Sequence, residues 1–222
     1  MSTLRELPLF PLSTVLFPGM VLPLHIFEDR YKLMIRRCIS KDEPFGVVLI
    51  QEGSEAGSGA TVFDIGTTAY ITGVDELSDG RMNIATLGLH RFKIRQTLPS
   101  REPYLIALIE DYPFDESNRE MIAQEASALG PILMKYLDLV AHISEGEVAL
   151  EKMPDDASTL AFLTAIVLRA PMKDKQQLLS TASLETLLRD EKDILRREYQ
   201  VLNLMSKSAP DWRNDNSPFS PN

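Results

Sequence analysis

The sequence holds a single cysteine, Cys38, in 222 residues. That excludes an intrachain disulfide and a cysteine-built zinc cluster. It suits a reducing compartment, so a cytoplasmic setting is expected. Positive charge is in deficit: 23 Lys and Arg stand against 32 Asp and Glu, a net charge of −9. Such a surface is a poor match for phosphates or anionic lipid, so neither nucleic acid nor membrane is an expected partner. No apolar run approaches the roughly 18 residues that a membrane-spanning helix needs. The N-terminus, MSTLRELPLF, lacks the basic-then-apolar order of a secretory leader.

Catalytic signatures are also missing. The glycine-rich stretch from Gly53 to Gly59 invites comparison with a phosphate cradle, but Ala60 precedes Thr61 where Lys would be required, and Glu55 would repel phosphate. A loop is the simpler reading, and no cofactor is expected. The histidines, His25, His90 and His142, show no metal-binding spacing. His25 is expected to bond a turn, His90 to lie on a strand and His142 on a helix surface. No Gly-x-Ser-x-Gly elbow occurs, and Ser54 and Ser58 have no base nearby in sequence. Cys38 falls on an apolar helical stripe, where an inert core thiol is expected. The carboxylate pairs Glu28/Asp29, Asp75/Glu76 and Asp155/Asp156 read as caps and turns. No catalytic, cofactor or metal residue is assigned, and the chain is not expected to be an enzyme.

What the sequence does contain is an organising run at residues 7–31, LPLFPLSTVLFPGMVLPLHIFEDRY. Pro8, Pro11, Pro18 and Pro23 forbid a continuous helix, because each lacks a donor and clashes with the preceding turn. The run predicts short strands that enter the middle of a sheet, joined at the Pro18-Gly19 turn. Tyr31, Met34, Ile35, Cys38 and Ile39 then share one helical face, predicting a helix over 28–40. Strands follow at 45–51, at 61–74 with alternating faces, at 82–96 and at 104–112. Asp79-Gly80 makes a hairpin turn, and a bulge or close backbone approach is expected at Gly88.

Past Pro113 the pattern turns helical. A stripe from Ile122 to Ile143 is expected to kink or break at Gly130-Pro131. Residues 155–169 are apolar nearly all round, as in a central helix. A short helix spans 173–180. Ser183 can cap a last helix with Leu184, Leu187, Leu188, Leu195, Tyr199, Leu202 and Met205 on one side. Asp193 and Arg197 form an i, i+4 pair on its outer face. Strands first and helices second indicate an α+β fold. The expected division is 1–113 for a β-rich part, 114–208 for a helical bundle and 209–222 for a disordered tail.

Three patches carry a family resemblance. The first is Leu7-Pro8-Leu9-Phe10-Pro11-Leu12, then Leu16-Phe17-Pro18-Gly19, then Leu22 to Glu28 with Arg30-Tyr31. The second is Gly80-Arg81 with Gly88 and Arg91-Phe92; the third is Lys175-Gln176 with Leu178-Leu179. Together they resemble the N-terminal domain of the Lon (La) ATP-dependent protease family, over roughly residues 5–205. The resemblance implies a mostly antiparallel β pseudo-barrel, PUA-like, with one helix, followed by a helical bundle. It implies a stand-alone relative without the ATPase or Ser-Lys protease domains. It also implies a non-catalytic module that binds unfolded or degron-bearing polypeptides and assists a protease or chaperone, with self-association left open. The PUA-like relationship leaves nucleic-acid binding as the alternative, and a hydrolase with an unrecognised site as a further one. Met20, Met34, Met82, Phe17 and Tyr31 would form a groove if exposed beside helix 28–40. The simpler reading buries them all.

Overall fold

A computed structural model describes residues 4–53, 61–99, 102–144 and 152–208. Among the described residues, seven strands precede four of the five helices. They are β1 (Arg5–Leu12), β2 (Val21–Ile26), β3 (Phe45–Glu52), β4 (Thr61–Val62), β5 (Ile65–Glu76), β6 (Met82–Leu98) and β7 (Leu105–Asp111). Helix α1 (Asp29–Lys41) lies between β2 and β3; α2 (Arg119–Ser144), α3 (Ala157–Val167), α4 (Met172–Ser180) and α5 (Leu184–Ser208) follow the strands. The sheet runs β1-β7-β6-β5-β3, and a parallel pairing of β1 with β3 closes the ring. The α+β pseudo-barrel followed by helices is thus observed. The expected tail, and most of the glycine-rich loop, lie outside the described residues.

Strand β1 carries two prolines inside a closed wall. Its pairing register explains how. Pro8 is registered only against Ile106 of β7, and Pro11 only against Val48 of β3. Leu9 alone has partners on both sides, Leu105 and Gly46. Each proline therefore has one side without a ladder, where its missing N–H costs nothing. Strand β2 departs from expectation: among the described residues it pairs only with β6 and is an edge strand. Between them Pro18-Gly19 turns as predicted, with Met20 N–H donating to Phe17 O at 3.0 Å and Gly19 at φ 80°. Gly88 receives this turn: a Cβ there would sit 2.3 Å from Phe17 O.

Four of the five ring strands, β1, β3, β6 and β7, supply side chains to the barrel interior. Leu7, Leu9, Val48, Phe92, Ala107 and Ile109 form one buried cluster. Gly46 and Gly66 leave room for the Phe92 ring, whose Cζ would lie 2.7 Å from a Cβ at either position. On the opposite faces of these strands, Phe10, Phe45 and Val47 pack with Tyr31, Met34, Ile35 and Cys38 of α1. The expected strand over 61–74 is split at Phe63-Asp64 into β4 and β5. Its alternation also fails locally, because Thr67 and Thr68 are both buried, each bonding a backbone carbonyl.

The helical half follows its stripes with local corrections. Helix α2 runs unbroken through Pro131. Pro131 and Ser127 are both exposed, so the carbonyl freed at i−4 faces water. Asp156 caps α3 by accepting from Thr159 N–H at 2.8 Å, and Ser183 Oγ accepts from Thr186 N–H at 3.3 Å. Arg197 Nε donates to the Asp193 backbone carbonyl, while the Asp193 carboxylate pairs with Arg196 at 3.6 Å. The expected i, i+4 ion pair is replaced by one at i, i+3. Met205, placed on the buried side by its spacing, is 64% exposed.

The two halves share a core in which Val15, Phe17, Leu49 and Ile65 pack with residues of all four C-terminal helices. Polar contacts fix them further. Arg91 of β6 is buried, and its Nη1 donates to Leu179 O at 2.8 Å and Thr181 O at 2.6 Å. Tyr112 O–H donates to Ser180 O at 3.2 Å. These carbonyls lie at the end of α4, where unpaired acceptors and the negative dipole end favour a cation. The guanidinium carbon lies 3.6 Å from the Phe114 ring centre. Burial lowers the Arg91 pKa to about 10, so it stays charged at neutral pH. Gln176 Nε2 donates to Ile65 O at 2.9 Å.

Two outcomes follow from these buried groups. Arg91→Ala leaves the α4 carbonyls without their charged donor, which lowers unfolding free energy by about 3 kcal/mol. Arg91→Lys recovers only part, because an ammonium lacks the flat guanidinium face that stacks on Phe114. Urea denaturation measures both, and an Arg91→Ala protein as stable as the parent would contradict the assignment.

Glu191 of α5 is 0% exposed, and neither carboxyl oxygen has a partner among the described residues. Burial, then the Asp190 charge, raises its pKa well above the usual value. The folded protein therefore holds a proton that the unfolded chain releases near pH 4.3. Stability from this group falls as pH rises above that value, until the folded-state pKa is passed. Glu191→Leu should gain about 2 kcal/mol at neutral pH, with the gain shrinking towards pH 4. Parallel stability profiles for parent and variant would refute this.

Candidate functional site

The end of α1 and the second half of β5 face each other across a groove. Helix α1 stops by placing Asp42 in the left-handed region, φ 54° and ψ 40°. Asp42 N–H donates to Ile39 O at 3.3 Å, and Glu43 N–H to Cys38 O at 3.0 Å. This is the Schellman arrangement, with Asp where Gly is usual. Pro44 then sends the chain into β3. Across the gap, Tyr70 O–H donates to Asp42 Oδ1 at 2.8 Å. The phenol pKa is raised, first by that bond and then by the carboxylate charge.

The groove holds about 290 Å³ and is lined by Cys38, Ile39, Asp42 and Glu43 on one side and residues 70–74 on the other. Three of its apolar side chains are open to solvent: Ile39 at 44%, Tyr70 at 38% and Val74 at 44%. Over Thr67–Ala69, β5 pairs with both β3 and β6. Beyond Ala69 it pairs only with β6 among the described residues. Residues 72–76 are all exposed. The wall of the barrel thus ends in a free strand edge beside an apolar groove.

A larger cavity of about 460 Å³ lies at the junction of the halves, among Pro18, His90, Arg91, Tyr112, Phe114 and Phe162. Its one buried cation is engaged with the end of α4, so the cavity is built around a structural contact.

Individual residues sort as follows. Phe17, Tyr31, Met34 and Met82 are buried and Met20 is half-buried, so these side chains do not make the groove expected beside α1. A groove beside α1 exists, but Ile39, Tyr70 and Val74 supply its apolar surface. Cys38 is buried, and burial pushes its thiol up to about 11, as an inert core thiol requires. His25 Nδ1 lies 2.7 Å from Asn83 Oδ1 on the paired strand β6, not on a turn. His90 lies on β6, and His142 is exposed near the end of α2. Glu28 stands at the start of α1 but bonds Arg30 instead of the helix end, and Asp29 pairs with Lys32. Asp75 and Glu76 lie within β5 and not in a turn. Ser54 and Ser58 lie outside the described residues. Among the described residues no group of three or more His, Cys, Asp or Glu could hold a metal ion.

Comparison with known proteins gives a consistent result. Residues 6–197 match the family described as the ATP-dependent protease La (LON) substrate-binding domain. The Lon protease of Anaeromyxobacter dehalogenans is 28% identical over 205 residues, covering 90% of this chain and 24% of that protein. Lon protease 2 of Herpetosiphon aurantiacus is 30% identical over 208 residues, covering 91% and 25%. The chain thus spans about a quarter of the length of these relatives. Among solved structures, the N-terminal domain of Mycobacterium avium complex Lon protease is similar with a TM-score of 0.65 and 21% identity, covering 86% of this chain and 98% of that one. A Lon N-terminal domain protein from Xanthomonas campestris gives 0.60 and 22%, covering 84% and 96%.

The Tyr70–Asp42 contact can be tested without disturbing the backbone. Asn tolerates the left-handed conformation as Asp does, so Asp42→Asn removes charge and keeps geometry. The Tyr70 phenol should then titrate at lower pH than in the parent, read by NMR of labelled tyrosine. An unchanged midpoint would show that Asp42 does not hold it.

Proposed function

Because the chain belongs to the LON substrate-binding domain family, we propose that it binds unfolded or degron-bearing polypeptides, without catalysis of its own, on behalf of a protease or chaperone. The groove between α1 and β5 carries this reading. It offers exposed apolar side chains on a rigid wall, and Ile39, Tyr70 and Val74 need no rearrangement to be reached. Apolar patches of this kind suit segments that a folded protein keeps buried. The barrel and the helical bundle hold the groove in place through the shared core and the Arg91 contact. A cytoplasmic setting, where unfolded chains meet such modules, is part of the same reading.

A permanently unfolded, fluorescently labelled protein provides the test. The parent should bind it, and the native form of the same protein should not compete. Ile39→Asp and Val74→Asp each put a charge where an apolar contact would form, so each should weaken binding by about tenfold or more. Both positions are solvent-exposed, so thermal stability should change little. Absence of binding by the parent, or full binding by both variants, would sink the proposal.

A further inference from the structure

We infer that the groove takes its polypeptide as an added β-strand on the free edge of β5, and that it selects segments with basic residues among apolar ones. This rests on the reading that the groove is where polypeptide binds. The first ground is the pairing pattern. From residue 70 to Glu76, β5 has β6 on one side and no strand on the other among the described residues. Every second residue of such an edge turns its N–H and C=O away from the sheet, ready for another chain.

Proteins usually guard such edges. Here β5, β6 and β2 form a three-stranded ribbon, and its opposite edge, β2, carries Pro23. The β5 edge has no proline. Its register with β6 slips between Ile71 and Gly73, placing a bulge at Thr72. A bulge bends a strand. Gly73–Glu76 beyond it stays paired with β6 and is exposed. Residues 70–76 span about 20 Å, the length of a six-residue strand.

The second ground is charge. Asp42 and Glu43 line the helix side of the groove, and Asp75 and Glu76 continue its strand side. Lys41 is the basic residue in the last turn of α1. Lys or Arg side chains alternating with Val or Ile would meet the carboxylates, while the apolar set meets Ile39, Tyr70 and Val74. Backbone pairing supplies affinity and the alternating side chains supply selection.

The probe is a labelled eight-residue peptide of alternating Val and Lys, read by fluorescence anisotropy. Two derivatives carry N-methyl groups on alternate amides, in opposite phases. Strand addition predicts that one phase loses about tenfold or more in affinity while the other stays near the parent peptide. It also predicts hydrogen-exchange protection of amides within residues 71–76, and at least about tenfold weaker binding of a Val-Glu peptide. Equal binding by the two methylated peptides, or no added protection on β5, would overturn strand addition. If the peptide and an unfolded protein both fail to bind, the polypeptide-binding reading fails with it. If the unfolded protein binds and methylation phase makes no difference, strand addition alone is rejected.

Discussion

A buried guanidinium at the end of a helix holds the two halves of this molecule in register. Arg91 reaches from β6 to the last carbonyls of α4, and Tyr112 takes the carbonyl between them. Removing a cation from water is costly, and here the cost is offset by two charge-assisted bonds, a helix dipole and an aromatic face. The contact is directional in a way that the surrounding leucines are not. Apolar packing between barrel and bundle would tolerate a slide of a fraction of a turn. Two carbonyls on one nitrogen would not. Gln176, bonding Ile65 from the same short helix, adds a second point of alignment.

With the bundle fixed against the start of β5 and against Arg91 of β6, the far end of β5 stays open to solvent. Strand β6 is the longest strand of the sheet, and its two halves have different neighbours. Its second half pairs with β7 and meets β5 as well at Phe92 and Lys93, whereas its first half is the middle of a ribbon flanked by β2 and β5. The ribbon is where the barrel stops being closed. Helix α1 packs under it through Met34 and Ile35, and its last turn forms the far bank of the groove. The exposed apolar set there is small, and it sits on secondary structure at every point.

Much of this was readable from residue order. Prolines in the run 7–31 required short strands, Asp79-Gly80 required a hairpin, and Gly88 required a close approach, which Phe17 O makes. The misses have physical causes. Pairing partners decide whether a strand is central, and periodicity does not encode them, so β2 was expected inside the sheet. Asp75-Glu76 resembled a turn because charges are depleted in buried strands, whereas this strand is exposed. Thr67 and Thr68 broke the alternation because both faces are covered and each hydroxyl found a carbonyl. For the site, helix 28–40 and its neighbouring sheet were the right place, but methionine and aromatic content pointed to side chains that serve the core. Glu191 could have been noticed: it falls between Leu188 and Leu195 on an otherwise apolar stripe. Arg91 gave no local sign of its task, since its partners lie 88 and 90 residues away.

The closing strand of the barrel also sets an order of events during synthesis. Strand β1 leaves the ribosome before the other strands of the barrel, yet one of its partners, β7, begins at Leu105. Until residue 105 and those after it have been made, the apolar stretch Leu7 to Leu12 has no β7 to pair with. Loop closure over that distance makes the ring a late product of folding. An exposed apolar strand is a hazard in a crowded cell, because identical strands on neighbouring nascent chains can zip together. Pro8 and Pro11 interrupt that zipper at both ends of the stretch, since neither can donate to a passing strand. The same two residues that fit the finished barrel by facing away from a ladder thus act earlier as gatekeepers of the unfinished one.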